Sequence, residues 1–134
     1  MIKLELDYPN SANTHWKLGR GRLYLSKAGN EYREHVKAKV EAAGHEAMTG
    51  RLFVTVWLTP GTRHKHDIDN RIKPLLDALE EANVFENDEQ IDMLLVGRGP
   101  VEPKQGRCQV VIQEIENHFL TDGENRIKLD MKFN

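Results

Sequence analysis

Acidic and basic side chains crowd into one segment near the middle of the chain. Asp67 and Asp69 are two residues apart, Lys73 follows four residues after Asp69, and Asp88 comes after the next helical pattern. Clustered carboxylates repel one another and raise each other's pKa unless a cation holds them together. Oxygen ligands of this kind suit Mg²⁺, with Mn²⁺ as a substitute. The pattern predicts a metal site formed by Asp67, Asp69 and Asp88.

A metal site of this kind has a defined use at a phosphodiester. The ion polarises a phosphoryl oxygen, activates a water and stabilises the leaving 3′ oxygen. Lys73 shares a face with Asp69 if the segment between them is helical, and its ammonium would then neutralise charge developing on the phosphate. We therefore expect Asp67, Asp69, Lys73 and Asp88 to be catalytic. The alternative is a solvated helix cap, because carboxylates near a helix N-terminus favour the macrodipole without any function.

The neighbouring histidines fit a zinc site poorly. His64 and His66 form an H-x-H pair, but no further histidines follow at the spacing of zinc ligands. We interpret them as basic loop residues. The D-x-D-N run is not a calcium-binding EF-hand loop either, since the required glycine and twelfth-position glutamate are missing.

A small α/β (α+β) fold is expected to position these residues. Alternating apolar residues predict strands at residues 2–8, 52–58, 91–97 and 107–115. The strand at 52–58 is apolar on both faces, so it is expected to be central. Helical periodicity predicts helices at 27–43 and 72–83. The predicted order is β-α-β-α-β-β, a mixed sheet of about four strands with two main helices.

Pro74 lies inside the second helical pattern and leaves the start of that helix open. Proline cannot donate to the carbonyl four residues back, so the helix either begins near Pro74 or begins earlier and is kinked there. Asp77 joins the face of Asp69 and Lys73 only if the helix runs straight through Pro74. Asp92 is either a fourth carboxylate near the ion or the polar side of a strand.

Basic residues are concentrated in the first third of the chain. Residues 14–39 contain seven lysines and arginines against two glutamates, although the whole chain has a net charge of −2. This asymmetry is either an uneven surface or a phosphate-binding one. The polar run 9–22 is interpreted as a loop that touches phosphates. The candidate phosphate contacts are Lys17, Arg20, Arg22, Lys27, Arg33, Arg63 and Lys65.

Composition narrows the class of protein further. A chain of 134 residues suits one domain with its own core, and a hydrophobic content of 39% is that of an ordinary globular protein. No signal peptide or membrane span is evident, so no membrane partner is expected. The single cysteine, Cys108, lies in an apolar run and is expected to be a buried strand thiol. One cysteine fits a reducing cytoplasm.

Four segments of the sequence together resemble the motifs of a known family. D-I-D-N-R-I-K-P-L-L-D-A-L, residues 67–79, followed by V-F-E-N-D-E-Q-I, residues 84–91, resembles the signature of the RusA family of Holliday junction resolvases, which are common in prophages. P-N-S-A-N, residues 9–13, and G-R-L-Y-L-S-K-A-G-N-E-Y-R, residues 21–33, resemble its N-terminal loop and first helix. We therefore divide the chain into a RusA-like endonuclease domain, 1–116, and a C-terminal extension, 117–134. Alternating apolar residues in the extension predict an extra strand, at a sheet edge or in a dimer contact.

The resemblance implies a homodimeric endonuclease, dependent on Mg²⁺ or Mn²⁺, that nicks four-way DNA junctions symmetrically. It places the family's three metal-binding aspartates on Asp67, Asp69 and Asp88 and its essential lysine on Lys73. Asn87 stands where some members have another aspartate. A two-fold dimer would provide two matched cuts. Trp16 and Phe85 either stack at the junction centre or pack within the protein.

Three alternatives to a junction resolvase stay open. One is a less selective Mg²⁺-dependent nuclease that acts on branched DNA. Another is a non-catalytic junction-binding protein whose carboxylates are structural. A nucleotide-sugar transferase also uses D-x-D, but the chain is short for a sugar-nucleotide domain.

Overall fold

The architecture of the chain comes from a computed structural model, which describes residues 1–115. The strand predicted in the C-terminal extension lies outside the described residues. The strands are β1 (Ile2–Asp7), β2 (Trp16–Gly19), β3 (Arg22–Leu25), β4 (Leu52–Thr59), β5 (Ile91–Arg98) and β6 (Arg107–Glu114). The helices are α1 (Ala12–His15), α2 (Lys27–Ala43), α3 (Asp69–Glu81) and the short 3₁₀ helix η1 (Asp88–Gln90).

Four of the strands form the main sheet, in the spatial order β1-β6-β4-β5. β4 pairs in parallel with β5 and antiparallel with β6, and β1 pairs antiparallel with β6. β4 is buried along almost its whole length, which confirms its central position. The predicted mixed sheet of four strands with two main helices is confirmed.

The core lies between the sheet and the two long helices. α2 and α3 pack against each other, and α2 also packs against β1. The side chains of Val36, Val54, Leu75 and Ile112 are fully buried there. Cys108 is buried as expected, and burial raises the pKa of its thiol to about 12. Among the described residues, we find no helix with the length and apolar character needed to cross a membrane.

The bounds of α2 follow from its caps. The Ser26 hydroxyl accepts a hydrogen bond from the Gly29 amide at 2.9 Å, which satisfies one of the free amides of the first turn. Gly44 ends the helix with φ 69°, a left-handed conformation that glycine adopts without a Cβ penalty. Both ends were predicted from sequence and are confirmed.

α3 begins at Asp69 and continues through Pro74. Pro74 removes only the bond that its amide would make to the Asn70 carbonyl. The buried side chains of Ile72, Leu75 and Leu79 hold the helix against the core on both sides of this missing bond. The second of the two predicted starts, before the proline, is therefore the correct one.

The run 9–22 is not the continuous loop that we predicted. It contains α1 and β2, and β2 pairs with β3 in a separate two-stranded hairpin. Arg20 and Gly21 form the turn, with φ values of 52° and 72°. A two-residue turn with both residues in the left-handed region matches the twist of a hairpin. The polar, glycine-containing composition of residues 9–22 is typical of a loop, so the pairing of β2 with β3 was not predicted.

Candidate active site and basic surfaces

The solvent-facing row of α3 carries alternating charges. Asp69, Lys73 and Asp77 are spaced four residues apart, which places them on one helical face because α3 passes through Pro74 unbroken. The Lys73 ammonium donates to Asp77 Oδ1 at 2.7 Å. Asp77 therefore belongs to the face of Asp69 and Lys73.

Asp88 approaches this row from the segment that follows α3. The Lys73 ammonium also donates to Asp88 Oδ2, at 2.9 Å. Two bonds fix the backbone that carries Asp88: its amide donates to Glu80 at 2.8 Å, and the Asn87 side chain caps η1 by accepting from the Glu89 amide at 2.8 Å. The loop is therefore held so that Asp88 faces Lys73.

The two carboxylates raise the pKa of Lys73 well above its ordinary value. The hydrogen bond to Asp77 is the larger cause and the bond to Asp88 the second, while partial burial opposes them. The Lys73 ammonium thus remains protonated at neutral pH. It is a fixed positive charge beside the start of α3.

Asp67 and Asp69 differ from the two carboxylates that hold Lys73. Both are exposed, and within the described part of the chain neither makes a hydrogen bond or an ion pair. The N-cap position of α3 is Ile68, and no side chain caps the helix there. Neither aspartate therefore makes a capping hydrogen bond, while Asp69 lies in the first turn of α3, where a negative charge also favours the helix dipole.

The predicted ligands have the donor atoms that a divalent ion prefers, but in this structure they are not arranged around one point. Within residues 1–115, no three His, Cys, Asp or Glu side chains are grouped so that they could hold a metal ion. Asp88 bonds Lys73 at 2.9 Å instead of joining a three-carboxylate cluster. Asp67 and Asp69 nevertheless offer hard oxygen donors that have no partner among the described residues.

The structure shows the contacts of Asp92 and of the two histidines. Asp92 bonds the Arg51 guanidinium at 2.5 Å and lies on the polar side of β5. His64 and His66 belong to no metal-binding group in the described residues. The His66 side chain instead contacts the Tyr8 hydroxyl and the His64 carbonyl.

A basic pocket of about 500 Å³ adjoins the loop that leads to Asp67. Its lining side chains are basic, aromatic or neutral, and none of its lining residues is acidic: Tyr8, Pro60, Gly61, Thr62, His64, Lys65, His66, Arg71, Lys104 and Gly106. Arg71 lies over the Tyr8 ring at 5.3 Å and donates to the Pro9 carbonyl at 2.9 Å. Its Nε is buried and has no hydrogen-bond partner among the described atoms.

The sequence analysis missed three members of this pocket. Arg71 follows the aspartates closely, but its contacts are with Tyr8 and Pro9, which lie near the start of the chain. Lys104 comes from the loop before β6. The position of Arg71 beside D-I-D-N is the only signal that could have indicated it, and no spacing rule connects Tyr8 or Lys104 to the site.

The predicted phosphate contacts differ in exposure and in pairing, and the exposed Lys27 also lies 3.9 Å from Glu31 in a solvent-exposed i,i+4 ion pair. Six of them are exposed: Lys17, Arg20, Arg22, Lys27, Arg63 and Lys65. Arg33 is different, because its guanidinium bonds Glu81 at 2.5 Å and its Nε donates to His15 at 3.2 Å. The structure thus gives Arg33 a role in joining α2 to α3.

His15 is a buried polar residue that the sequence analysis did not single out. Its ring accepts from Arg33, and its other nitrogen lies 3.1 Å from the Asn10 side-chain oxygen. Burial, followed by the nearby Arg33 charge, lowers the pKa of His15. The neutral ring fixes α1 against α2.

The two aromatic candidates for stacking at a junction occupy different places. Phe85 is fully buried in the core, so the packing alternative is correct for it. Trp16 is half-buried, with its ring edge-on to His15 at 4.8 Å between centroids.

An apolar groove of about 370 Å³ separates α3 from β5. Ile68, Ile72, Leu76, Leu94 and Val96 line it, and Asp69 and Lys73 lie at its rim. β5 is an edge strand of the main sheet, and 44% of Leu94 is exposed.

The fold is that of a small mixed α/β protein. Its carboxylate–lysine face, formed by Asp69, Lys73 and Asp77 on α3 with Asp88, and its basic surfaces have a chemistry suited to phosphodiesters. The family model described as Endodeoxyribonuclease RusA matches residues 7–113. The chain belongs to the RusA family of endodeoxyribonucleases.

Individual relatives cover most of the chain. The crossover junction endodeoxyribonuclease rusA of Enterobacteria phage HK97 is 35% identical over 113 residues, which are 84% of this chain and 93% of that protein. The RusA proteins of Shigella sonnei (strain Ss046) and Escherichia coli (strain K12) bear the same functional name. Each is 30% identical over 117 residues, which are 85% of this chain and 95% of the relative.

Proposed function

We propose that this protein is a metal-dependent endodeoxyribonuclease that resolves four-way (Holliday) DNA junctions by paired symmetric nicks, in DNA recombination and repair. Membership of the RusA family supports this, as do the relatives named crossover junction endodeoxyribonuclease. The structural observation that carries it is the pair Asp67 and Asp69. These carboxylates are exposed and unpartnered among the described residues, beside a permanently charged Lys73.

Each site residue has a separate role in this proposal. Asp67, Asp69 and Asp88 hold a divalent ion, Mg²⁺ with Mn²⁺ as a substitute, since their oxygens are the donors that such ions take. When bound, the ion supplies an activated water and polarises the phosphoryl oxygen. Lys73 stabilises negative charge that develops on the phosphate. Asp77 is a positioning residue that keeps the Lys73 ammonium beside the site. The products are a 5′ phosphate and a 3′ hydroxyl.

Two basic surfaces place the DNA across this site. The basic pocket beside Asp67 receives a backbone phosphate, and the buried, unpartnered Nε of Arg71 supports this role. Lys65 lines the same pocket, and Arg63 is exposed two residues before it. On the hairpin β2–β3 and at the start of α2, Lys17, Arg20, Arg22 and Lys27 hold a second stretch of backbone. We leave Arg33 out because Glu81 already neutralises it.

The protein acts as a homodimer in the cytoplasm. A four-way junction has two-fold symmetry, and a C2 dimer supplies two identical sites for two matched cuts. The apolar groove between α3 and the edge strand β5, with Leu94 exposed at its side, supports contact with a second copy. Residues 1–116 form the endonuclease domain and 117–134 an extension, consistent with a family match that ends at residue 113.

A nicking assay on synthetic DNA tests this function. Four-way, three-way and linear substrates are incubated with Mg²⁺, with Mn²⁺ and with EDTA. We expect symmetric nicks in the four-way junction with either metal and none with EDTA. Similar cleavage of the three-way and linear substrates would indicate the less selective nuclease. Tight junction binding without nicks in Mg²⁺ or Mn²⁺ would indicate a non-catalytic binder.

A further inference from the structure

The exposed apolar side chains of this protein are unevenly distributed. Of the five large hydrophobic residues exposed in residues 1–115, three lie on the hairpin β2–β3: Leu18, Leu23 and Tyr24. They are 77%, 70% and 52% exposed. Apolar side chains that cluster on a projecting element, surrounded by polar residues, mark an interaction surface.

The hairpin presents these side chains in a fixed arrangement. Leu18 lies opposite Leu23 in the ladder, so both side chains point to the same face, whereas Tyr24 lies opposite Lys17 on the other face. Trp16 lies opposite Leu25 on that face, which gives an apolar row from the half-buried base to the exposed tip. The Arg20–Gly21 turn closes the ribbon with two left-handed residues and leaves no loop at its tip.

The base of the hairpin is fixed to the elements that carry the site. The His15 carbonyl accepts from the Ser26 amide at 2.9 Å. A Cβ at Gly29 would lie 2.4 Å from the oxygen of that carbonyl. Only glycine therefore allows α2 to pack this closely against His15. α1 also packs against α3. The hairpin is thus an extension of the framework that holds Asp69 and Lys73.

The charges around the apolar tip favour nucleic acid as its partner over a second copy of this protein. Lys17, Arg20 and Arg22 are exposed, and within the described residues none of them has an ion-pair partner. No acidic residue lies between Trp16 and Leu25. A second copy of the same basic ribbon would repel it, whereas DNA phosphates match its charge. Two-stranded ribbons also fit DNA grooves, and apolar side chains of this kind insert between base steps.

We propose that the hairpin β2–β3 is a branch-point wedge. Leu18 and Leu23 contact base pairs that lose a stacking neighbour at the crossover, while Lys17, Arg20 and Arg22 hold the adjacent phosphates. This inference rests on the proposed junction-binding function and adds the part of the substrate that the hairpin recognises. Trp16 lies deeper, at the base of the ribbon, and is not the wedge.

The test uses full-length protein carrying Asp69→Asn, which prevents cleavage. A four-way junction and a linear duplex each carry 2-aminopurine, at the crossover or the matching position. The parent should raise 2-aminopurine fluorescence only in the junction. Adding Leu18→Ser and Leu23→Ser should abolish that rise and weaken junction binding about tenfold, the scale of a lost contact to bases. Duplex affinity and the salt dependence of binding should not change.

Matched variants and a mass measurement separate the outcomes. Lys37→Gln with Lys39→Gln, on the exposed side of α2, should leave the fluorescence rise intact. The wedge is wrong if the leucine variant keeps both the rise and the junction preference, or if the parent prefers junctions without any rise. A leucine variant that changes molecular mass in light scattering would assign this face to a protein contact instead. A parent that binds the junction no better than the duplex would contradict the proposed function itself.

Discussion

The carboxylate–lysine face of α3 and the hairpin β2–β3 carry their charges in opposite ways. On α3, the Lys73 ammonium is bonded by both Asp77 and Asp88, on a helix packed against the core. On the hairpin, Lys17, Arg20 and Arg22 are exposed and have no ion-pair partner among the described residues. A charge that is already held in place needs no reorganisation during a reaction. A side-chain cation without a partner can instead adjust its position to the phosphates of a flexible DNA backbone. Changes on α3 should therefore alter rate, and changes on the hairpin should alter affinity.

The largest effect expected is that of Asp69→Asn. Junction nicking should fall on the order of a thousandfold, the upper range for losing one charge-stabilising group. Junction binding should persist or become tighter, because the change removes a negative charge that faces phosphate. Nicking is measured on a labelled junction and binding by gel shift. Unchanged nicking by this variant would exclude the proposed mechanism.

The next comparison concerns Lys73 and Asp77. Lys73→Ala should slow nicking about a hundredfold with a smaller loss of affinity. Asp77→Asn should slow it less, because Asp88 still bonds the ammonium. If Asp77 acts only through Lys73, the double variant should be no slower than Lys73→Ala alone. Additive losses in saturated rate would show that Asp77 has a separate role.

On the hairpin, Arg20→Gln with Arg22→Gln should change salt dependence. The slope of log affinity against log salt should fall by about two units, since each phosphate contact contributes about 0.9. The saturated nicking rate should fall less than the affinity does. Titrations at several salt concentrations measure the slope, with Lys37→Gln and Lys39→Gln as the matched charge control. An unchanged slope would mean that these arginines do not contact phosphates.

The smallest effect tests the link between the two regions. Ser26→Ala removes the N-cap of α2 and should destabilise the protein by about 1 kcal/mol. The same hydroxyl also donates to the His15 carbonyl at 3.1 Å, so the base of the hairpin should loosen. Chemical denaturation measures the first effect. Weaker junction binding under conditions where Ser26→Ala is fully folded would show the loosened hairpin base. Compared with Ser26→Ala, Ser26→Asn should recover more of the lost stability than of the lost binding.

Local features of this protein could be predicted from its sequence because the residues that determine them are neighbours. Ser26 and Gly44 set the ends of α2 within one turn of backbone. The largely apolar residues on both faces of β4 predicted a strand covered on both sides. The spacing of Asp69, Lys73 and Asp77 allowed a shared helical face only if the helix ran through Pro74, and packing of the apolar side of α3 decided that it does. The two-residue hairpin turn is also local, but the hairpin was not predicted. Its leucines near the turn are exposed, so its sequence lacks the apolar alternation of a strand with one buried face.

The sequence by itself therefore determined the order of the main elements, the bounds of α2 and the acidic motif with its lysine. Only the tertiary structure decided which side chains contact partners far away in the sequence. Arg33 and Glu81 are 48 residues apart, and Arg71 and Pro9 are 62 apart. No periodicity joins residues at such separations. Their pairing depends on how α2, α3 and β1 pack, because a charge finds its partner only after the core has brought their backbones together.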